Sequence, residues 1–191
     1  MSERLRIGLI GAAGTGKSTV AGLLSAKIGV PFKAAKLITQ RILEREGYDY
    51  GSGIRVERFL ATEQRQLEIL DATLEMQSVD ESFVTDRTVV DLAAYALCEI
   101  HESDKAVRSV VTRCRDNLKL YTHLFLCPWM FAEMVENRRR TMDPWYQHLI
   151  HVIDRGLIAE WGLDVTVLSA EKSEDRVVEI LNRIGRPTKE S

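Results

Sequence analysis

Apolar residues along this chain fall in two alternating rhythms. Short runs, bounded by glycine or polar residues, occur at Leu5–Ile10 and in "VPFKA", "SFVT", "THLFLC" and "DVTVLS". Their length and flanks predict five strands. Between them the spacing is helical. Lys17–Ile28 carries Val20, Leu23, Leu24 and Ile28 and is stopped by Gly29; Ile38–Glu46 follows. Arg55–Gln77 predicts one long helix with a stripe at Val56, Phe59, Leu60, Leu67, Leu70 and Leu74. Further helices are predicted over Val89–Ile100, Ala106–Leu120, Met130–Glu136, Trp145–Trp161 and Asp175–Ile184, the fifth strand preceding the last of them. Trp145–Trp161 is expected to turn Leu149, Val152, Ile153, Leu157 and Trp161 inward. Strands alternating with helices imply an α/β fold, a parallel sheet of about five strands with helices on both faces. Ligands in such sheets bind beyond the C-terminal strand ends.

The first strand runs into Gly11-Ala12-Ala13-Gly14-Thr15-Gly16-Lys17-Ser18-Thr19, which fits G-x4-G-K-[ST] between a strand and a helix. Glycines let the backbone fold around an anion with its amides inward, and the helix start adds free N–H groups and a positive dipole end. These nine residues are the expected nucleotide-binding set. Lys17 is expected on the β- and γ-phosphates and Ser18 on Mg²⁺. The fold expected is therefore the three-layer P-loop NTPase fold, a single domain over 1–191 with a short lid at about 134–144. A guanine-reading NKxD segment is absent from the sequence. The third strand ends "FVTDRT", with arginine where a water-activating glutamate would follow Asp in a mechanical ATPase.

Composition narrows the setting. The 191 residues are 45% hydrophobic and 28% charged, enough for one domain with a full core. A net charge of −2 gives no general affinity for nucleic acid or anionic membrane. Cys98, Cys114 and Cys127 form no CxxC, and His148 and His151 lack a third metal ligand, so a reduced cytoplasmic setting without structural zinc is expected. No run is long enough to span a bilayer, and "GRPTKES" is expected to fray.

Asp86 and Arg87 close the third strand opposite the phosphate loop. Asp86 is a candidate to orient Mg²⁺ or accept the acceptor's proton, Arg87 to bind a phosphate bidentately; a mutual ion pair is the alternative. Thr88-Val-Val-Asp91 reads as a capping box, which assigns Asp91 to the helix start. Tyr95, one turn on, either lines an acceptor pocket or packs. The segment "FVTDRTVVDLAAY" resembles the strand-DR-x-x-x-D-x-x-A-Y segment of small P-loop kinases grouped with the NadR-like nicotinamide riboside kinases, many phage-encoded. "RTMDPWYQHLIHVIDRGLIAEWG" is similar to their R-x-x-D-x-x-Y-Q segment and following helix, and "DVTVLSAEKSEDRVVEIL" to their closing strand and helix. Thymidylate and deoxynucleoside kinases share the architecture.

The resemblance implies an ATP- and Mg²⁺-dependent phosphotransferase in which Lys17, Asp86, Arg87 and a lid arginine act on the transferring group. By its spacing to Asp143, Arg140 matches that arginine; Arg138 and Arg139 are alternatives or a solvated turn. Relatives often carry E-x-x-R after the second strand, and here "KAAK" stands there, with Lys33 and Lys36. Lost acid and gained base favour an anionic acceptor, with Lys33, Lys36, Arg87 and Tyr95 as its expected contacts. A deoxynucleoside monophosphate is the simplest such acceptor. A hydroxymethylated pyrimidine in phage DNA, a riboside, or use of the nucleotide as a binding switch are the alternatives. Monomer and homodimer are both compatible with the sequence, and no membrane partner is expected.

Overall fold

The computed structural model describes residues 4–47, 60–77, 80–129 and 143–186. The strands are β1 (Arg6–Ile10), β2 (Phe32–Lys33), β3 (Phe83–Thr85), β4 (His123–Leu126) and β5 (Val165–Val167). They form one parallel sheet in the order β2-β3-β1-β4-β5. The helices are α1 (Lys17–Ile28), α2 (Lys36–Arg45), α3 (Glu63–Met76), α4 (Val89–Glu99), α5 (Asp104–Asp116), α6 (Pro144–Glu160) and α7 (Ser173–Arg183), with a 3₁₀ turn at Leu118–Leu120.

Strand alternation builds two cores. Ile7, Leu9, Val84 and Phe125 join Val20 and Leu24 of α1 and Val177, Ile180 and Leu181 of α7 on one face. On the other, Ile10, Phe83, Leu124 and Leu126 meet the larger group from α2 to α6. β1, the central strand, is thus buried on both sides, and its C-terminal end lies between the ends of β3 and β4. Gly8 permits close packing there, since a Cβ would stand 2.6 Å from Thr88 Cγ2 and 2.9 Å from Leu124 Cδ2.

Three sequence expectations change. The helix expected over Arg55–Gln77 is interrupted at Thr62, which is extended with its hydroxyl accepting from Arg65 N, and α3 begins at Glu63; residues 55–59 of that expectation lie outside the described residues. The helix over Ala106–Leu120 ends at Asp116 and continues as the 3₁₀ turn. In α6, Leu149 and Val152 are about half exposed, whereas Gln147, Ile150, His151, Asp154 and Leu157 are buried. Ile153, Leu157 and Trp161 pack on the core as expected, and the rest of the inward face of α6 is partly polar. The expected helix Met130–Glu136, the "GYDYGSG" loop, the core of the lid with Arg138, Arg139 and Arg140, and the chain end from 187 lie outside the described residues.

Candidate functional site

The phosphate loop is held open from three sides. Gly11, Gly14 and Gly16 have φ of 141°, 89° and 84°, a region L side chains rarely adopt. Gly11 N donates to Asp91 Oδ1 at 3.0 Å and Ala13 N to Gln147 Oε1 at 2.9 Å, so α4 and α6 each fix one amide. Arg176 of α7, almost fully buried, donates from Nη1 to Thr15 O at 2.6 Å and from Nε to Ala170 O at 2.7 Å. Thr15 Oγ1 closes the turn on Ala12 O at 3.0 Å. Gly16 caps α1 without a side chain, leaving the first N–H groups of α1 without helical partners, as at any helix start. Thr19 lies exposed in that first turn. Lys17 Nζ donates to Gly11 O and, at 2.7 Å, to Ala12 O.

Gly11→Ala is expected to disrupt this loop. The new Cβ would meet the Cys127 carbonyl oxygen at 2.5 Å, a backbone atom that cannot step aside. Together with the positive φ this costs on the order of 1–3 kcal/mol. Thermal melting should register it as a fall of several degrees, and an unchanged melting temperature would show that the loop accommodates a side chain.

At the end of β3 the two candidates diverge. Asp86 is buried; its Oδ2 accepts from Ser18 Oγ at 2.5 Å, while Oδ1 has no hydrogen-bond partner among the described residues. The charge-assisted bond ties the first turn of α1 to β3 and leaves one carboxylate oxygen free beside the loop. A hydroxyl and an unsatisfied carboxylate oxygen, both hard oxygen ligands, fit a Mg²⁺ ion carried mainly by phosphates. Arg87 turns away. Its guanidinium lies 4.9 Å from the centroid of the Tyr95 ring, and Nη1 reaches Thr39 Oγ1 at 3.5 Å. Among the described residues no carboxylate forms an ion pair with it, so the Asp86–Arg87 pair is not a mutual salt bridge.

The backbone that sets this divergence rests on a buried chain of hydrogen bonds. Tyr121 Oη donates to Gln77 Oε1 at 2.6 Å and accepts from Val89 N at 3.1 Å. Gln77 Nε2 donates to Thr85 Oγ1 and to Arg87 O, both at 2.9 Å. Thr88 and Asp91 form a complete capping box, with Thr88 N to Asp91 Oδ2 at 2.7 Å. Asp91 therefore caps α4 with one oxygen and holds Gly11 with the other. Burial raises its carboxyl above the usual range, against the pull of Lys17 and of the Thr88 hydrogen bonds. Burial likewise raises the Tyr95 phenol, to about 12, although Arg87 opposes it.

Lys33 pairs in register with Thr85 at the C-terminal end of β3, and its carbonyl accepts from Thr85 Oγ1 at 2.9 Å. Its Nζ pairs with Glu81 Oε2 at 3.0 Å, an acid 48 positions away. Lys36 begins α2, and its side chain lies outside the described residues. Sequence reasoning also gave no role to Gln147 or Arg176. Gln147 ends the quoted Y-Q pair. Arg176 interrupts the apolar stripe of α7 at Val177, Ile180 and Leu181, and a charge within a buried stripe is the signal that finds it.

Phosphate loop, strand order and the Ser18–Asp86 corner together define a P-loop nucleotide-binding protein of kinase architecture. The chain belongs to the family described as AAA domain, whose model matches residues 6–176. No curated protein matches it. Among solved structures it is similar to NadR protein in complex with NR, at 15% identity and a TM-score of 0.68 over 98% of this chain and 52% of that one. The chain thus spans about half the length of the NadR chains it matches. It is also similar to deoxyadenosine kinase from M. mycoides with bound dCTP, at 14% identity and a TM-score of 0.64 over 95% of this chain and 99% of that one. Thymidylate kinase from Candida albicans aligns at 15% identity and a TM-score of 0.60, over 97% and 93%. Among the described residues no helix is long and apolar enough to cross a membrane.

Proposed function

We propose that the chain is an ATP- and Mg²⁺-dependent phosphotransferase that moves the γ-phosphoryl group to a nucleotide-like acceptor, most simply a deoxynucleoside monophosphate. The observation that carries the acceptor is Arg87. Its half-buried guanidinium stacks on Tyr95, makes one long hydrogen bond and has no acid partner among the described residues. Asp91, Asp86 and Glu99 favour its charge from beyond ion-pair distance, but among the described residues its donors make only that one bond, and a phosphate, taken bidentately by the planar fork, would fill the others. Ser18 and Asp86 would hold the metal, which neutralises charge on the transferring group. Lys17 would leave the Gly11 and Ala12 carbonyls for the β- and γ-phosphates. The named structural relatives that act on nucleosides and nucleotides are consistent with this acceptor class.

The test is ADP formation from ATP with and without an acceptor panel: the four deoxynucleoside monophosphates, their nucleosides, nicotinamide riboside, and an oligonucleotide containing a hydroxymethylated pyrimidine. The expected result is acceptor-dependent ADP, with a monophosphate gaining one phosphoryl group by mass. Arg87→Met should then raise KM for that monophosphate about tenfold or more, the loss of one charge-assisted contact, and leave KM for ATP unchanged. Turnover indifferent to every acceptor would make the chain an NTPase switch instead.

A further inference from the structure

Asp154 is a buried acid that the reading above leaves unused. It is fully buried, in the middle of α6, and among the described residues neither carboxylate oxygen has a hydrogen-bond partner. It shares a helix face with Gln147, two turns earlier, which holds the phosphate loop at Ala13. α6 packs against α4: Tyr146 near the start of α6 donates to Glu99 at the end of α4 at 3.0 Å. Asp91 and Tyr95 lie one turn apart on that helix. The charges of Asp91, Lys17 and Arg87 act on Asp154, and its own charge acts on Tyr95 and Cys98. So Asp154 stands behind the junction of phosphate loop and Arg87.

A carboxylate removed from water without any donor costs several kcal/mol, so burial holds Asp154 towards its neutral form, and a donor brought by a ligand would favour the carboxylate. The two bare oxygens call for a hydroxyl or amine. Lys17 is already satisfied by two carbonyl oxygens, and Arg87 is turned onto Tyr95. We propose that Asp154 is an acceptor-binding residue, its carboxylate taking a hydrogen bond from a hydroxyl or amine of the acceptor whose phosphate rests on Arg87. This rests on the phosphotransferase reading. It makes the acceptor bipolar in its contacts, an anion at one end and a hydrogen-bond donor at the other, which is the chemistry of a nucleotide rather than of inorganic phosphate or a simple phosphomonoester.

The inference predicts opposite effects on stability and on acceptor use, which a packing role does not. Burial first, and then the Asp91 carboxylate, push the Asp154 carboxyl well above its ordinary range. An acid whose folded pKa is raised destabilises the fold as pH climbs from the ordinary carboxylate range towards the raised value. Asp154→Asn and Asp154→Leu should therefore melt at or above the wild-type temperature near neutral pH, and should lose part of the wild-type fall in melting temperature between about pH 5 and pH 8. On the same preparations, acceptor titration at saturating ATP should show KM for the best monophosphate raised about tenfold or more, with KM for ATP within about twofold. Asp154→Glu, which keeps the charge, should be the less impaired variant in acceptor KM. The probes are the monophosphates of the panel above. A melting temperature well below wild type for both Asn and Leu, or an unchanged acceptor KM, overturns the assignment. If wild type forms no ADP in response to any acceptor, it is the phosphotransferase reading that fails, and the melting data alone then report on Asp154.

Discussion

Lys17→Ala is expected to lower turnover by about two to three orders of magnitude while leaving the fold intact. The ammonium is the cation placed by the loop itself, and removal of one preorganised charge from a developing oxyanion typically costs about 10²–10³ in kcat. The structural cost is small by comparison. Among the described residues Lys17 donates to the Gly11 and Ala12 carbonyls, and two such bonds at a partly exposed site contribute on the order of 1 kcal/mol each. The loop keeps its three outside supports in Asp91, Gln147 and Arg176. Steady-state turnover measured beside thermal melting separates the two effects. Normal turnover in a folded Lys17→Ala protein would remove the phosphate loop from the chemistry.

Asp86→Asn should have an effect of similar size by a different route. The amide keeps the shape and can still accept from Ser18 Oγ, so the link between α1 and β3 survives. What disappears is the negative charge on the oxygen that has no partner among the described residues. The expected outcome is a fall in turnover of about a hundredfold, with melting changed by no more than a few degrees. Raising the Mg²⁺ concentration should recover part of the loss. A collapse in melting with normal activity per folded molecule would make Asp86 a structural residue.

The donor half of this site is legible in the sequence because it is contiguous. Gly11 to Thr19 is one unbroken segment whose glycines, lysine and serine each have a local reason, and Asp86-Arg87 follows its strand directly. The supports are not contiguous. Gln147 meets Ala13 across 134 positions and Arg176 meets Thr15 across 161, so neither spacing carries a local signal. Lys33 shows the same limit: the acid its charge meets, Glu81, is brought near only by folding. In α6 the apolar pattern led to Leu149 and Val152 because the true inward face has exchanged apolar residues for Gln147 and Asp154. Helix periodicity fails there for the reason that makes the face interesting. The break at Thr62 was hidden in the same way, since a capping hydroxyl looks like any other polar position within a long stripe.

The chain from Tyr121 through Gln77 to Thr85 and the Arg87 carbonyl marks a boundary for redesign. It fixes where Arg87 departs from the sheet, yet none of its three side chains belongs to the proposed contacts with nucleotide or acceptor. Every atom in it is committed: the Gln77 amide donates twice and accepts once, so glutamate, leucine or histidine at that position leaves a buried group unsatisfied. A library aimed at a new acceptor therefore gains nothing by diversifying these three residues, and most of its members would be spent on proteins that fold poorly. Diversity belongs at Thr39, Tyr95 and Asp154, around a backbone that the Tyr121 chain keeps constant from one variant to the next.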